Sequence, residues 1–147
     1  MSDDEVLAFL DEERVVTCAS FGPRGWPHLM PLWYVVREGT LWSWTYAKSQ
    51  KIRNLERDPR CTLQVEAGLE YSELRGVMIK AHCIVHRELD LVAGVGAELA
   101  VRYGGADAAV GPEAREVFER QAAKRVALHF VPASITTWDH RKLGGVY

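Results

Sequence analysis

"YAKSQKIRNLERDPRCTLQV", residues Tyr46–Val65, decides the fold, because it reads as the end of one strand, a short helix and the start of the next strand. Ser49 is a fitting N-cap for a helix beginning at Gln50, and the Asp58–Pro59 step ends that helix. Tyr46–Arg60 holds five cations against two carboxylates, a local charge of +3, in a chain whose net charge is −2. A helix N-terminus offers free N–H groups and a partial positive charge. Lys48 and Lys51 therefore stand where a cation costs about 0.3–1 kcal/mol, and a docked anion reverses that cost. Phosphate suits the position, since backbone N–H groups, the Ser49 hydroxyl and lysine ammonium groups can converge on its oxygens. Arg53 brackets the same rim. Asn54 is open between a backbone and a ligand partner, and Leu55 reads as core. Arg57 and Arg60 fit a plain solvated helix, because cations are favourable near a helix C-terminus.

Outward from this stretch, Asp3–Glu13 has the spacing of a short amphipathic helix, and "RVVTCAS" (14–20) is a strand rich in β-branched residues. "FGPRGWP" carries turn chemistry, "HLMPLWYVVR" (28–37) reads as one second strand, and "EGT" turns it into "LWSWTYA". "CTLQVEA" and "LRGVMIKAHCIVHRE" follow as strands. Glu88–Tyr103 and the segment opened by Pro112 are helical, and "RVALHFVP" and "SITTWD" close the chain as two strands. Six or seven strands joined mostly by short turns predict an antiparallel sheet closed into a small barrel, mainly β with flanking helices, in a single domain 1–147. There is no GxGxxG and no regular βαβ alternation, which excludes a parallel nucleotide-binding sheet.

Composition bounds the rest. At 147 residues, 48% hydrophobic and 26% charged, the chain is ordinary for a globular protein. A pI near 6.2 argues against a general nucleic-acid binder. The acidic N-terminus is unlike a secretory signal and no run is long enough to span a bilayer, so a cytosolic location without membrane contact is expected. Cys18, Cys61 and Cys83 form no CxxC pair and are expected to be reduced and buried.

Other residues are weighed on both sides. Pro27 and Pro31 cannot donate to a ladder, which makes their strand an edge or an irregular one. Trp42, Trp44 and Tyr46 share one strand face; core packing is the default, and a dimer groove stacking a planar ligand is the alternative. His82 and His86, four apart on an extended strand, lack a third ligand, so no metal is expected. Ser20, Ser43 and Ser72 lack a paired base, so no catalytic side chain is assigned. Trp138–Lys142 reads either as a docked tail covering a partner's groove or as the finish of the barrel.

The pattern Lys51, Asn54, Leu55, Asp58, Pro59, Arg60 resembles the phosphate-binding segment of the pyridoxamine 5'-phosphate oxidase-like split β-barrels that bind flavins and deazaflavins. "GWPHLMPLWYV" is similar to a second motif of that family, "LRGVMIKAHCIV" to its long central strand, and "ITTWDHRKLGG" to members grouped with coenzyme F-420 reductases. The resemblance implies a homodimeric split barrel with the cofactor between protomers. It places the cofactor phosphate at Lys51, with Lys48 and Ser49 nearby, and the ring along the backbone of His28, Leu29, Met30, Pro31 and Leu32. Relatives often carry arginine where this chain has Ser49. The implied activity is F-420-dependent reduction of a small or planar substrate by hydride transfer. The alternatives are an FMN oxidoreductase and a non-enzymatic flavin- or haem-binding module.

Overall fold

The computed structural model describes residues 1–109 and 111–144. Seven strands pair in the order β2–β1–β5–β6–β7–β4–β3, every neighbour antiparallel. They are β1 (Val16–Phe21), β2 (Pro27–Leu32), β3 (Val35–Arg37), β4 (Thr40–Tyr46), β5 (Arg60–Ala67), β6 (Arg75–His86) and β7 (Arg125–Asp139). The helices are α1 (Asp3–Glu12), α2 (Gln50–Arg57), α3 (Leu89–Gly104) and α4 (Pro112–Ala122).

The two edge strands, β2 and β3, are consecutive in the chain, separated only by Trp33 and Tyr34. A flat sheet of this size would hold its edges roughly 29 Å apart at about 4.8 Å per strand. Three residue steps span at most about 11 Å. The sheet must therefore curl until its edges share a corner, and a split barrel results.

That corner corrects one expectation, since residues 28–37 are not a single strand. Pro31 removes a ladder donor, but the break itself is made from a distance. Tyr103 on α3 accepts from the Tyr34 N–H (2.9 Å), donates to the Tyr34 and Arg14 carbonyls, and stacks on Trp33 at 4.4 Å. The Tyr34 hydroxyl, fully buried, donates to the Leu10 and Glu13 carbonyls at the end of α1. Side chains thus take the backbone groups that a continuing strand would pair.

β7 corrects a second expectation, because "RVALHFVP" and "SITTWD" form one fifteen-residue strand. The register against β6 slips between Lys80 and Ala81, leaving Ala133 unpaired beside Pro132. A bulge absorbs the proline that reads as a terminator in the sequence. The β3–β4 hairpin turns through Glu38 and Gly39, both at positive φ (49° and 74°), the backbone of a tight two-residue turn.

Two cores result. The barrel interior is filled from alternate strand positions such as Val16, Leu63, Val77, Leu128 and Phe130, with α1 adding Phe9 and Leu10 and α2 adding Ile52 and Leu55. All three cysteines lie here, buried and free, as expected. The second core is outside the sheet, where Val92, Val95 and Leu99 of α3 pack on Val35 and Ala127. Trp42 and Trp44 belong to this second core. Gly96 of α3 meets the Trp44 ring so closely that a Cβ there would fall 2.3 Å from it. The indoles on the outer face of β4 are therefore half-buried in the protein's own second core.

The C-terminal segment docks on its own chain. The Trp138 ring covers Gly76, the His140 N–H donates to the Leu74 carbonyl, and Lys142 holds both Glu5 carboxylate oxygens at 2.7 Å. Gly145, the last residue of the "ITTWDHRKLGG" stretch, lies outside the described residues.

Candidate functional site

The N-terminus of α2 differs from the other three helix starts. Acidic residues occupy the first turn of α1 (Asp3, Asp4, Glu5), α3 (Asp90) and α4 (Glu113), but none is in that of α2. Ser49 has the extended N-cap backbone (φ −69°, ψ 154°), yet its side chain makes no cap bond, and its Oγ is buried without a partner. A buried hydroxyl left unpaired costs about 1–3 kcal/mol. Lys48 beside it is exposed and has no hydrogen-bond or ion-pair partner among the described residues.

Lys51 sits differently from the sequence expectation of a cation at an open entrance. It is 5% exposed, and its Nζ donates to Thr45 Oγ1 at 3.2 Å. Thr45 is on the inner face of β4, in alternation with Leu41 and Ser43. Burial is the chief cause that holds the lysine below its ordinary pKa, and negative charge on Cys18 or Cys83 would offset it only in part. No carboxylate among the described residues pairs with it. An amine so placed is a cation lacking its counter-ion.

The remaining cations of the stretch divide. Arg53 is exposed and unpartnered among the described residues. Arg57 donates to the Phe21 carbonyl, and Arg60 forms a forked pair with Asp58 (2.7 and 3.0 Å). Those two arginines are committed to the far end of α2. Asn54 is wholly buried; it donates to Ser20 Oγ at 3.2 Å and accepts from Gln50 Nε2 at 2.9 Å, bracing α2 against β1.

β2 is an edge strand, as its two prolines require. It pairs only with β1, so the backbone groups on its other side are free of the ladder. Leu29 and Met30 are exposed, Pro31 is exposed, and His28 and Leu32 are half-buried. The His28 Nδ1 is buried and unpartnered. His28 pairs in register with Ser20, the residue that Asn54 holds. The two halves of the expected site, helix start and edge strand, are thus tied through a single β1 residue. Thr45 was missed in the sequence. The small polar residues alternating with Trp42, Trp44 and Tyr46 were the available signal.

What this arrangement can do is bind an anion at one end and a planar group along a free strand edge. The donors fit a phosphate-bearing cofactor: a hydroxyl and two lysines that have no carboxylate partner among the described residues, at a helix start without acids.

The profile of the pyridoxamine 5'-phosphate oxidase family matches residues 2–139. A conserved hypothetical protein from Mycobacterium tuberculosis is 37% identical and superposes with a TM-score of 0.91 over 100% of this chain and 90% of that one. An F420 reductase is similar at 19% identity, TM-score 0.67, covering 88% and 94% of the two chains. The haem storage protein of Vibrio cholerae is similar at 16% identity, TM-score 0.69, over 92% of each chain. No curated protein matches the chain. Sequence profile, strand order and the 37% relative agree, and the chain belongs to the pyridoxamine 5'-phosphate oxidase family of split barrels.

Proposed function

We propose that this protein is a homodimeric, coenzyme F-420-dependent reductase of a small or planar organic substrate, working in the cytoplasm. The observation that carries the reading is the unpartnered, buried Ser49 hydroxyl at the acid-free start of α2, with Lys48 beside it. In this reading Lys48, Ser49 and the first N–H groups of α2 receive the cofactor phosphate. Lys51 exchanges its Thr45 partner for a phosphate oxygen, Arg53 flanks the charged tail, and Asn54 holds the helix in place. The free backbone of His28–Leu32 positions the ring.

When bound, the deazaflavin supplies the hydride. The chain supplies orientation, charge and exclusion of water. No side chain is assigned as acid or base.

A second protomer is supported by the apolar surface beside the β2 edge. Trp26 is 78% exposed and Trp33 59%, next to Leu29 and Met30. Sedimentation at micromolar concentration is expected to give a dimer; a monomer that still binds cofactor would overturn this part.

FMN is the second reading. The commitment of Arg57 and Arg60 to Phe21 and Asp58 favours it, because it leaves fewer cations for a polyanionic tail. Competitive titration of both cofactors decides between them. F-420 is expected to bind more tightly at physiological ionic strength, and its affinity to fall more steeply with salt. Tighter FMN binding makes this an FMN enzyme.

A further inference from the structure

β4 and β7 separate partway along the barrel wall. β4 pairs with β7 only from Arg125 to Phe130, so the second half of β7 has β6 on one side and no strand on the other. The bulge at Ala133 bends β7 just past that point, and the wall opens between Pro132 and the β3–β4 turn at Gly39 and Thr40. α1 lies across the opening. Its Val6 and Leu10 are buried there, while Leu7 beside them stays 44% exposed.

A cavity of about 340 Å³ remains between α1 and the barrel interior, within the roughly 300–1,000 Å³ of small-molecule sites. Leu41, Leu63, Ile79 and Phe130, buried core side chains, form its floor, and Leu7 and the 50% exposed Ile135 form its lip. Its few polar groups are committed or balanced. Thr40 Oγ1 donates to the Arg37 carbonyl and accepts from Trp42 Nε1. Thr137 Oγ1 accepts from the Met1 ammonium at 2.9 Å, and the Asp3 carboxylate, also in the lining, matches that ammonium in charge. No lysine, arginine or histidine side chain among the described residues lines the cavity.

An apolar cavity of about 150 Å³ takes a single benzene ring and stays dry without one. About twice that volume has room for two fused rings. A charged occupant would lose its hydration against Leu, Ile and Phe, with no opposite charge free to pair it. We propose that this cavity binds an uncharged, largely apolar bicyclic molecule, which fills the space between α1 and the barrel floor and so holds α1 to the barrel. The cavity shares no residue with the α2 start or with the β2 edge, and its occupancy is independent of which cofactor binds there.

The test is calorimetric titration of the full chain, without added cofactor, with indole and with its anionic counterpart indole-3-carboxylate, alongside amide hydrogen exchange with and without indole. Indole is expected to bind saturably and the carboxylate about tenfold more weakly. Bound indole should slow exchange in α1 and in β7 around Ile135, because the filled cavity ties the two together. Ile135→Trp, which sets a ring of the protein's own in the lip, should weaken indole binding about tenfold. Val117→Trp, at a part-exposed position on α4 outside the cavity, should leave it unchanged. Leu7→Trp, on the α1 side of the lip, keeps the test decisive if Ile135→Trp does not fold. Non-saturable binding, equal binding of the carboxylate, unchanged exchange in α1, or indole affinity indifferent to the lip substitutions overturns the proposal.

Discussion

The starts of α1 and α2 use the same residue in opposite ways. Ser2 and Ser49 both adopt the extended N-cap conformation before a helix. Ser2 accepts from the Glu5 N–H while Glu5 accepts from the Ser2 N–H, a closed capping box backed by Asp3 and Asp4. The Ser49 hydroxyl bonds nothing among the described residues, and its helix begins between Lys48 and Lys51. The first end is complete within the chain. The second holds donors and positive charge without acceptors among the described residues, the arrangement that the proposed function uses for binding.

Lys51→Met should separate the two ends most strongly. Under the proposed function, cofactor affinity falls by about 1.5–3 kcal/mol, the worth of a charge-assisted hydrogen bond. The free protein becomes more stable by on the order of 1 kcal/mol, because a buried cation without a carboxylate partner is gone. The pH dependence changes as well. Burial lowers the Lys51 pKa in the fold, so the folded state holds this proton less tightly than the unfolded chain. Stability from this group therefore rises with pH between the lowered value and the ordinary 10.5, and the methionine variant should lose that rise. Denaturant melts across alkaline pH, paired with cofactor titration, measure both. Greater stability with unchanged affinity assigns Lys51 to the barrel core alone.

The serines themselves come next. Ser2→Ala removes a working cap and should cost about 1 kcal/mol of stability with no effect on cofactor binding. Ser49→Ala removes a hydroxyl that bonds nothing, so the free protein should be unchanged or slightly more stable, while cofactor affinity drops by about 1 kcal/mol. Thermal melts of both variants with and without cofactor make a two-by-two comparison. Equal losses of stability would erase the distinction between the two helix starts.

What the sequence shows and hides follows the range of the forces involved. α2, β4, β5 and β6 are legible because periodicity, an N-cap serine and Asp58–Pro59 act within a few residues. The β2–β3 break is not, since Tyr103, 69 residues away from Tyr34, captures the backbone. Nor is the join in β7, where Pro132 looks final until the bulge at Ala133 is seen. At the candidate site, the exposure of Lys48, the N-cap position of Ser49 and the edge character of β2 could be read from local chemistry. The inward turn of Lys51 onto Thr45, the bracing role of Asn54 and the covering of Trp42 and Trp44 by α3 could not. Each depends on what the fold brings from elsewhere.

The smallest effect tests how complete the first end is. Glu5 serves α1 twice, accepting from the Ser2 N–H and from Lys142 in the docked C-terminal segment. The Lys142 ammonium chiefly, and the Ser2 N–H next, hold its carboxyl down at about 2 instead of 4.5. A carboxyl lowered in the fold stabilises above its unfolded value, and that contribution is lost as pH falls from 4.5 toward 2. The group is open to solvent, so the effect is small and screened by salt. Glu5→Gln should flatten this part of the acid limb in low-salt melts, and Lys142→Ala should flatten it in the same direction, because the lysine is the larger cause. Since α2 has no such carboxylate in its first turn, neither substitution should alter cofactor affinity at neutral pH. An affinity change with either would mean that the two helix starts are coupled through the barrel, and the contrast between a closed end and an open one would then be one of degree.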